Sequence, residues 1–167
     1  MYKNVGSLLM VFFLSSCAGF QVERVFVRGN SLSPMIKNGE EIKLYRGYYK
    51  KRKIGRGDIV AFNYTGREVP VIKIIKAVGG DKFSVRELKD NRCELIINGK
   101  VLKDWRGLSY TFSSKKKKML KLYEKDFKGT VPEGFYLVFG VGNCDACLDS
   151  GRFGFLFGDK IIGKIKK

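Results

Sequence analysis

Two residues in this chain carry the means for acyl chemistry. Ser31 lies in Gly29-Asn30-Ser31-Leu32-Ser33-Pro34, and Lys73 lies in Val71-Ile72-Lys73-Ile74-Ile75-Lys76-Ala77-Val78-Gly79-Gly80-Asp81. The sequence has no histidine. A Ser-His-Asp triad, a Cys-His pair and an imidazole metal ligand are therefore excluded. If Ser31 is a nucleophile, its base must be a lysine amine. A lysine titrates near about 10.4 in water and is protonated at neutral pH. Burial disfavours the charge, by up to about 3–5 pK units when complete. Val71, Ile72, Ile74 and Ile75 flank Lys73 and can supply that burial. On a strand Lys73 shares a face with Val71 and Ile75, while Lys76 points the other way with Ile72 and Ile74, so only one of the two can face Ser31. Taken alone, Gly29 to Pro34 is equally well explained as a turn between strands.

The elements that must position these groups read mostly as strands. Val22 to Arg28 and Glu41 to Tyr45 alternate apolar with polar residues, and Asp58 to Phe62 follows the turn signal Arg56-Gly57. Val69 to Val78 is β-branched and continuous enough for a central strand, with Pro70 at its start, where a missing N–H is tolerated. Cys93 to Leu102 reads as a hairpin around Asn98-Gly99. Phe135 to Val141 and Ile161 to Ile165 complete an all-β core. One helix is expected between Ser113 and Phe127, where Met119, Leu120, Tyr123 and Phe127 recur at helical spacing with lysines on the other faces. It can pack on the barrel or lie on a membrane surface.

The 167 residues fit one domain. With 33 basic and 16 acidic residues the net charge is +17, which attracts polyanions, whether nucleic acid or anionic lipid. Much of the excess lies in two runs, Lys50 to Lys53 and Lys115 to Lys118, the usual composition of solvated faces. Lys3 followed by an apolar stretch from Val5 to Phe20 reads as a short anchor or the apolar region of a signal sequence. Leu14-Ser15-Ser16-Cys17 has the look of a lipobox. Residues 1–21 are thus expected as a membrane anchor or lipoprotein-type signal, with the rest outside the cytoplasm. Cys93 fits a core position. Cys144 and Cys147 form an isolated C-x-x-C, in which a disulfide is open outside the cytoplasm.

Four blocks, in order, resemble serine peptidase family S26, which includes bacterial signal peptidase I and the TraF-type peptidases of conjugative transfer. Gly29 to Glu40 is similar to G-x-S-M-x-P-T-L-x-x-G-D, with Leu32, Met35 and Glu40 as departures. Arg56-Gly57-Asp58-Ile59-Val60-Ala61-Phe62 is similar to R-G-D-I-V-x-F. Ile72 to Asp81 resembles I-K-R-x-x-x-x-P-G-D, with Ile74 for Arg and Gly79 for Pro. Asn143 to Gly154 resembles N-x-x-x-S-x-D-S-R-x-x-G.

The resemblance implies a signal-peptidase-like β-barrel or sandwich over residues 22–167, with an inserted hairpin and basic helix at 82–130. It places Ser31 as nucleophile and Lys73 as general base. Gly29, Cys147, Asp149, Ser150 and Arg152 fall at supporting positions. Cys147 stands where the family has a serine that hydrogen-bonds the lysine, so a weaker thiol partner is expected there. The arginine has moved one place to Arg152, from which it can still pair with Asp149, though the family geometry does not carry over. Gly29 offers no side-chain oxyanion donor, which leaves the Ser31 N–H. Phe26, Val27 and Ile72 are expected to line the substrate pocket.

The implied activity is removal of leader peptides from exported precursors at the cell (inner) membrane, on its outer or periplasmic side. No cofactor, metal or nucleic acid is expected. The partners are precursors with hydrophobic N-terminal leaders, and membrane lipid. Two other classes compete: an inert exported lipoprotein on the same scaffold, and a basic nucleic-acid-binding module. The second is opposed by the exported N-terminus and the lack of any nucleic-acid-binding motif.

Overall fold

The computed structural model describes residues 19–167. The expected lipobox at Cys17 and nearly all of the expected anchor lie outside the described residues. The strands are β1 (Gln21–Phe26), β2 (Glu41–Arg46), β3 (Ile59–Phe62), β4 (Val71–Ala77), β5 (Phe83–Glu87), β6 (Cys93–Ile97), β7 (Lys100–Val101), β8 (Thr111–Phe112), β9 (Phe135–Phe139), β10 (Leu156–Phe157) and β11 (Ile161–Lys166). The helices are α1 (Ser114–Asp126) and α2 (Ser150–Phe153).

Seven strands form an antiparallel sheet in the order β1-β2-β11-β3-β4-β9-β10. The segment between β4 and β9 builds a second sheet in which β6 pairs with β5, β7 and β8. The expected all-β fold with one short basic helix is thus what forms, together with the short α2, whose four residues are too few for a periodic signal. Asn98 and Gly99 take φ of 50° and 76° at the β6–β7 turn, the positive values that let a two-residue loop follow the strand twist. On α1, Leu120 is buried and Tyr123 and Met119 are half-buried, so packing rather than exposure uses its apolar stripe.

The folded unit also takes in the last apolar residue of the N-terminal stretch. The Phe20 ring packs 5.3 Å from Tyr45 and 5.5 Å from Tyr48, and Gln21 pairs with Arg46. Among the described residues, no helix is long and apolar enough to cross a membrane.

β4 lies inside the sheet, hydrogen-bonded on one side to β3 and on the other to β9. Its two faces feed different cores. Val71 and Ile75 join Val60, Phe62 and Val138, whereas Ile72 and Ile74 join Ile42, Leu44 and Ala61. Two carboxylates brace its C-terminal end, Asp58 beside Ile75 and Asp81 in the turn that follows. Asp81 accepts from the Arg56 guanidinium (2.6 Å at Nε), the Val78 N–H (2.9 Å) and Asn98 Nδ2 (2.8 Å). Asp58 accepts from Lys164 Nζ (2.5 Å), the Gly55 N–H and the Tyr49 hydroxyl (both 3.0 Å). Burial alone would raise both carboxyls, but these donors outweigh it and hold them below the ordinary range.

Ser31 lies in the loop from β1 to β2. That loop is closed at its base by Val27 N–H to Glu40 O (3.0 Å) and Gly39 N–H to Val27 O (2.8 Å). Leu32 and Ile36, both buried, pin it to the core. The Val141 N–H then donates to Ser31 O at 2.7 Å, fixing the loop against the chain leaving β9. This approach depends on Gly140, where an added Cβ would sit 2.3 Å from Ser31 O. Gly140→Ala is therefore expected to cost about 1–3 kcal/mol in denaturant unfolding. It should also shift the amide resonances of residues 29–36 more than those of the second sheet.

Candidate active site

Lys73 is buried (4% exposed), and its Nζ reaches Ser31 Oγ at 2.6 Å. The same amine donates to Ile72 O at 3.0 Å. Opposite Lys73 on β3 is Val60, which is fully buried, so the lysine stem runs through an apolar layer to a half-buried serine. Burial pushes the Lys73 amine down from 10.5 to about 8; Asp149 opposes this, while Lys116 and Arg67 reinforce it. Lys76 takes the other direction, its Nζ 5.2 Å from the centre of the Tyr110 ring. Strand alternation therefore separated the two lysines as expected.

The Ser31 N–H has no acceptor among the described residues. The Gly29 N–H, by contrast, donates to Asn38 Oδ1 at 2.8 Å, with Gly29 at a φ of 97°. Of the expected pocket residues, Phe26 is exposed (68%) at the end of β1, Ile72 is half-buried, and Val27 is buried in the core beside Leu32 and Ile36.

Two supporting expectations need correction. Cys147 is bonded to Cys144 in a disulfide and has no S–H with which to partner Lys73. Arg152 does not pair with Asp149; it is exposed and its guanidinium donates to Ala146 O at 3.3 Å. The partner of Asp149 is Lys116 on α1, whose Nζ donates to both carboxylate oxygens at 2.9 and 2.7 Å. This pair had no sequence signal, because Lys116 lies within a four-lysine run that composition reads as solvated. Ser150 is fully buried and its Oγ accepts from the Val138 N–H at 2.8 Å, docking α2 onto β9. Among the described residues, no group of three or more acidic or cysteine side chains is arranged to hold a metal.

The sequence profile of the family described as "Signal peptidase, peptidase S26" matches residues 2–167. The chain belongs to this family. Among curated relatives of this S26 peptidase, signal peptidase IB of Staphylococcus aureus is 29% identical over 154 residues, covering 87% of this chain and 76% of its own. Signal peptidase I T of Bacillus subtilis is 27% identical over 152 residues, covering 88% and 73%. A crystal structure of a signal peptidase I from Enterococcus faecalis superposes with a TM-score of 0.47 at 25% identity, over 69% of this chain and 98% of that one.

Burying Lys73 has a thermodynamic consequence that can be read without any substrate. Its folded-state pKa of about 8 lies below the ordinary 10.5, so between those values the unfolded chain binds more protons. The Lys73 contribution to stability therefore rises with pH across that window, and the full penalty applies below about pH 8. Lys73→Met is expected to raise stability at pH 7 by about 1–3 kcal/mol, net of the hydrogen bonds it removes. In paired denaturant melts that gain should shrink as the pH approaches 10.5.

Proposed function

We propose that this S26 peptidase is a membrane-associated Ser-Lys endopeptidase that removes signal or leader peptides from exported precursors. The observation that carries the reading is the 2.6 Å contact between Lys73 Nζ and Ser31 Oγ, made by an amine whose burial lowers its proton affinity. Neutral Lys73 takes the Ser31 proton as Oγ attacks the scissile carbonyl. The Ser31 N–H, with no acceptor among the described residues, is the donor available to the developing oxyanion. Lys73 then protonates the leaving amine and activates the deacylating water.

β1 ends the seven-stranded sheet and leads directly to the Ser31 loop, so an extended leader peptide can add along its open edge. Phe26 is an exposed apolar side chain five residues before Ser31, and half-buried Ile72, next to Lys73, packs against the core cluster that holds buried Val27. Small side chains near the cut suit such shallow apolar walls. Membrane association is supported by the +17 charge, attractive to anionic lipid, and by exposed Phe26 and Met35 on either side of Ser31 in the chain. The catalytic domain then works on the outer or periplasmic side of the cell membrane.

The test is leader-peptide cleavage by the detergent-solubilised full-length protein against a panel of exported precursors. Ser31→Ala and Lys73→Ala should each lower kcat/KM by about 10³-fold or more, while Lys76→Ala keeps most of the activity. Cleavage restricted to conjugation or pilin precursors would identify a dedicated TraF-type enzyme. A folded wild type that cuts no precursor would instead support an inert exported lipoprotein.

A further inference from the structure

Lys116 is the buried member of the Lys115–Lys118 run, at 2% exposure. All three of its N–H donors are engaged: two on Asp149 and one on the Cys144 carbonyl at 2.6 Å. Its path is set by Gly151, where an added Cβ would lie 2.6 Å from Lys116 Cδ and 2.9 Å from Cγ. The missing side chain at Gly151 is what lets the lysine stem cross α2 and reach the carboxylate. Asp149 caps α2 by accepting from the Gly151 N–H at 3.0 Å. The neighbouring Ser150 ties α2 to Val138, which pairs with Ile75 on β4, two residues beyond Lys73 on the same face. A continuous set of contacts thus runs from α1 through Asp149 to the strand that carries the amine.

We propose that Lys116 is a positioning residue for the Ser31–Lys73 reaction: by clamping Asp149 and the Cys144 carbonyl it fixes the 144–151 wall of the site and balances the charge facing Lys73. This rests on the reading of Ser31 and Lys73 as the catalytic pair. The charged groups facing Lys73 are Asp149 before α2, Lys116 on α1 and Arg67 in the loop between β3 and β4. Asp149 favours the ammonium form of Lys73, and the two cations disfavour it. Burial raises the Asp149 carboxyl, and Lys116 is the main group holding it down. Removing Lys116 takes away a cation and, above the raised titration of that carboxyl, uncovers a carboxylate, and both changes favour protonated Lys73.

The experiment is the pH dependence of kcat and kcat/KM for a leader peptide cut by the full-length enzyme, in Lys116→Met, Lys116→Met/Asp149→Asn and the surface control Lys118→Met. In Lys116→Met the rising limb of the profile should move to higher pH by about half a unit or more. The double variant carries no unpaired buried charge and should fold even where the single does not. Its limb should return to near the wild-type position, while kcat stays about tenfold or more below wild type because the wall is no longer clamped. Lys118→Met should match the wild type. A folded Lys116→Met with an unmoved limb, or a double variant with wild-type kcat, would overturn the inference. Leader cleavage that survives Ser31→Ala would reject the catalytic reading itself, and the inference with it.

Discussion

An amine held in the apolar interior of a sheet, 2.6 Å from a serine hydroxyl, sets the requirements that the surrounding structure meets. Taking an ammonium out of water costs several kcal/mol unless the group is paired or loses its proton. Here the fold supplies burial without a direct ionic partner: Lys73 Nζ bonds to one hydroxyl and one carbonyl. Holding such a site requires a strand that cannot slip. β4 is paired on both edges, and the Arg56–Asp81 and Lys164–Asp58 bridges fasten the turns around it. The serine must meet the amine from another segment, which is why Gly140 and the Val141 hydrogen bond matter as much as Ser31.

The segment between β4 and β9 is more than an appendage. Its hairpin returns Asn98 to Asp81 at the root of β4, and its helix delivers Lys116 to Asp149 behind the site. Tyr110, also from this segment, donates to Gly140 O at 2.8 Å, next to the Ser31 loop. Three side chains of one excursion therefore reach the turn after β4, the residue after β9 and the cap of α2. The Cys144–Cys147 disulfide lies in the segment that Lys116 holds, since the Cys144 carbonyl is itself a Lys116 partner.

Local patterns in the sequence carried much of this arrangement. Period-two alternation placed Lys73 and Lys76 on opposite faces, and Asn98-Gly99 announced its hairpin through backbone preferences alone. The R-G-D and G-G-D blocks were visible as strings, but their reason was not: Arg56 and Asp81 join across 25 positions. What stayed hidden is long-range and depends on packing. A lysine inside a basic run carries no mark of burial, and the vacancy it fills belongs to Gly151, 35 positions away. Arg152, in contrast, looked able to pair with Asp149 because the family pattern Asp-Ser-Arg brings an arginine there, yet it stands exposed at the end of α2. Cys147 read both as a thiol beside Lys73 and as one half of a disulfide with Cys144, and only the folded chain chose between them. Short strands such as β8 and β10 were missed because two residues cannot show a period.

The most direct measurement is the titration of the Lys73 amine itself, followed by the ¹³Cε shift of labelled lysine and assigned by its loss in Lys73→Met. The account predicts a midpoint near 8, so that a usable fraction of the amine is neutral at physiological pH. A midpoint at the ordinary 10.5 would contradict it, because Lys73 would then be an ammonium wherever the enzyme is asked to work.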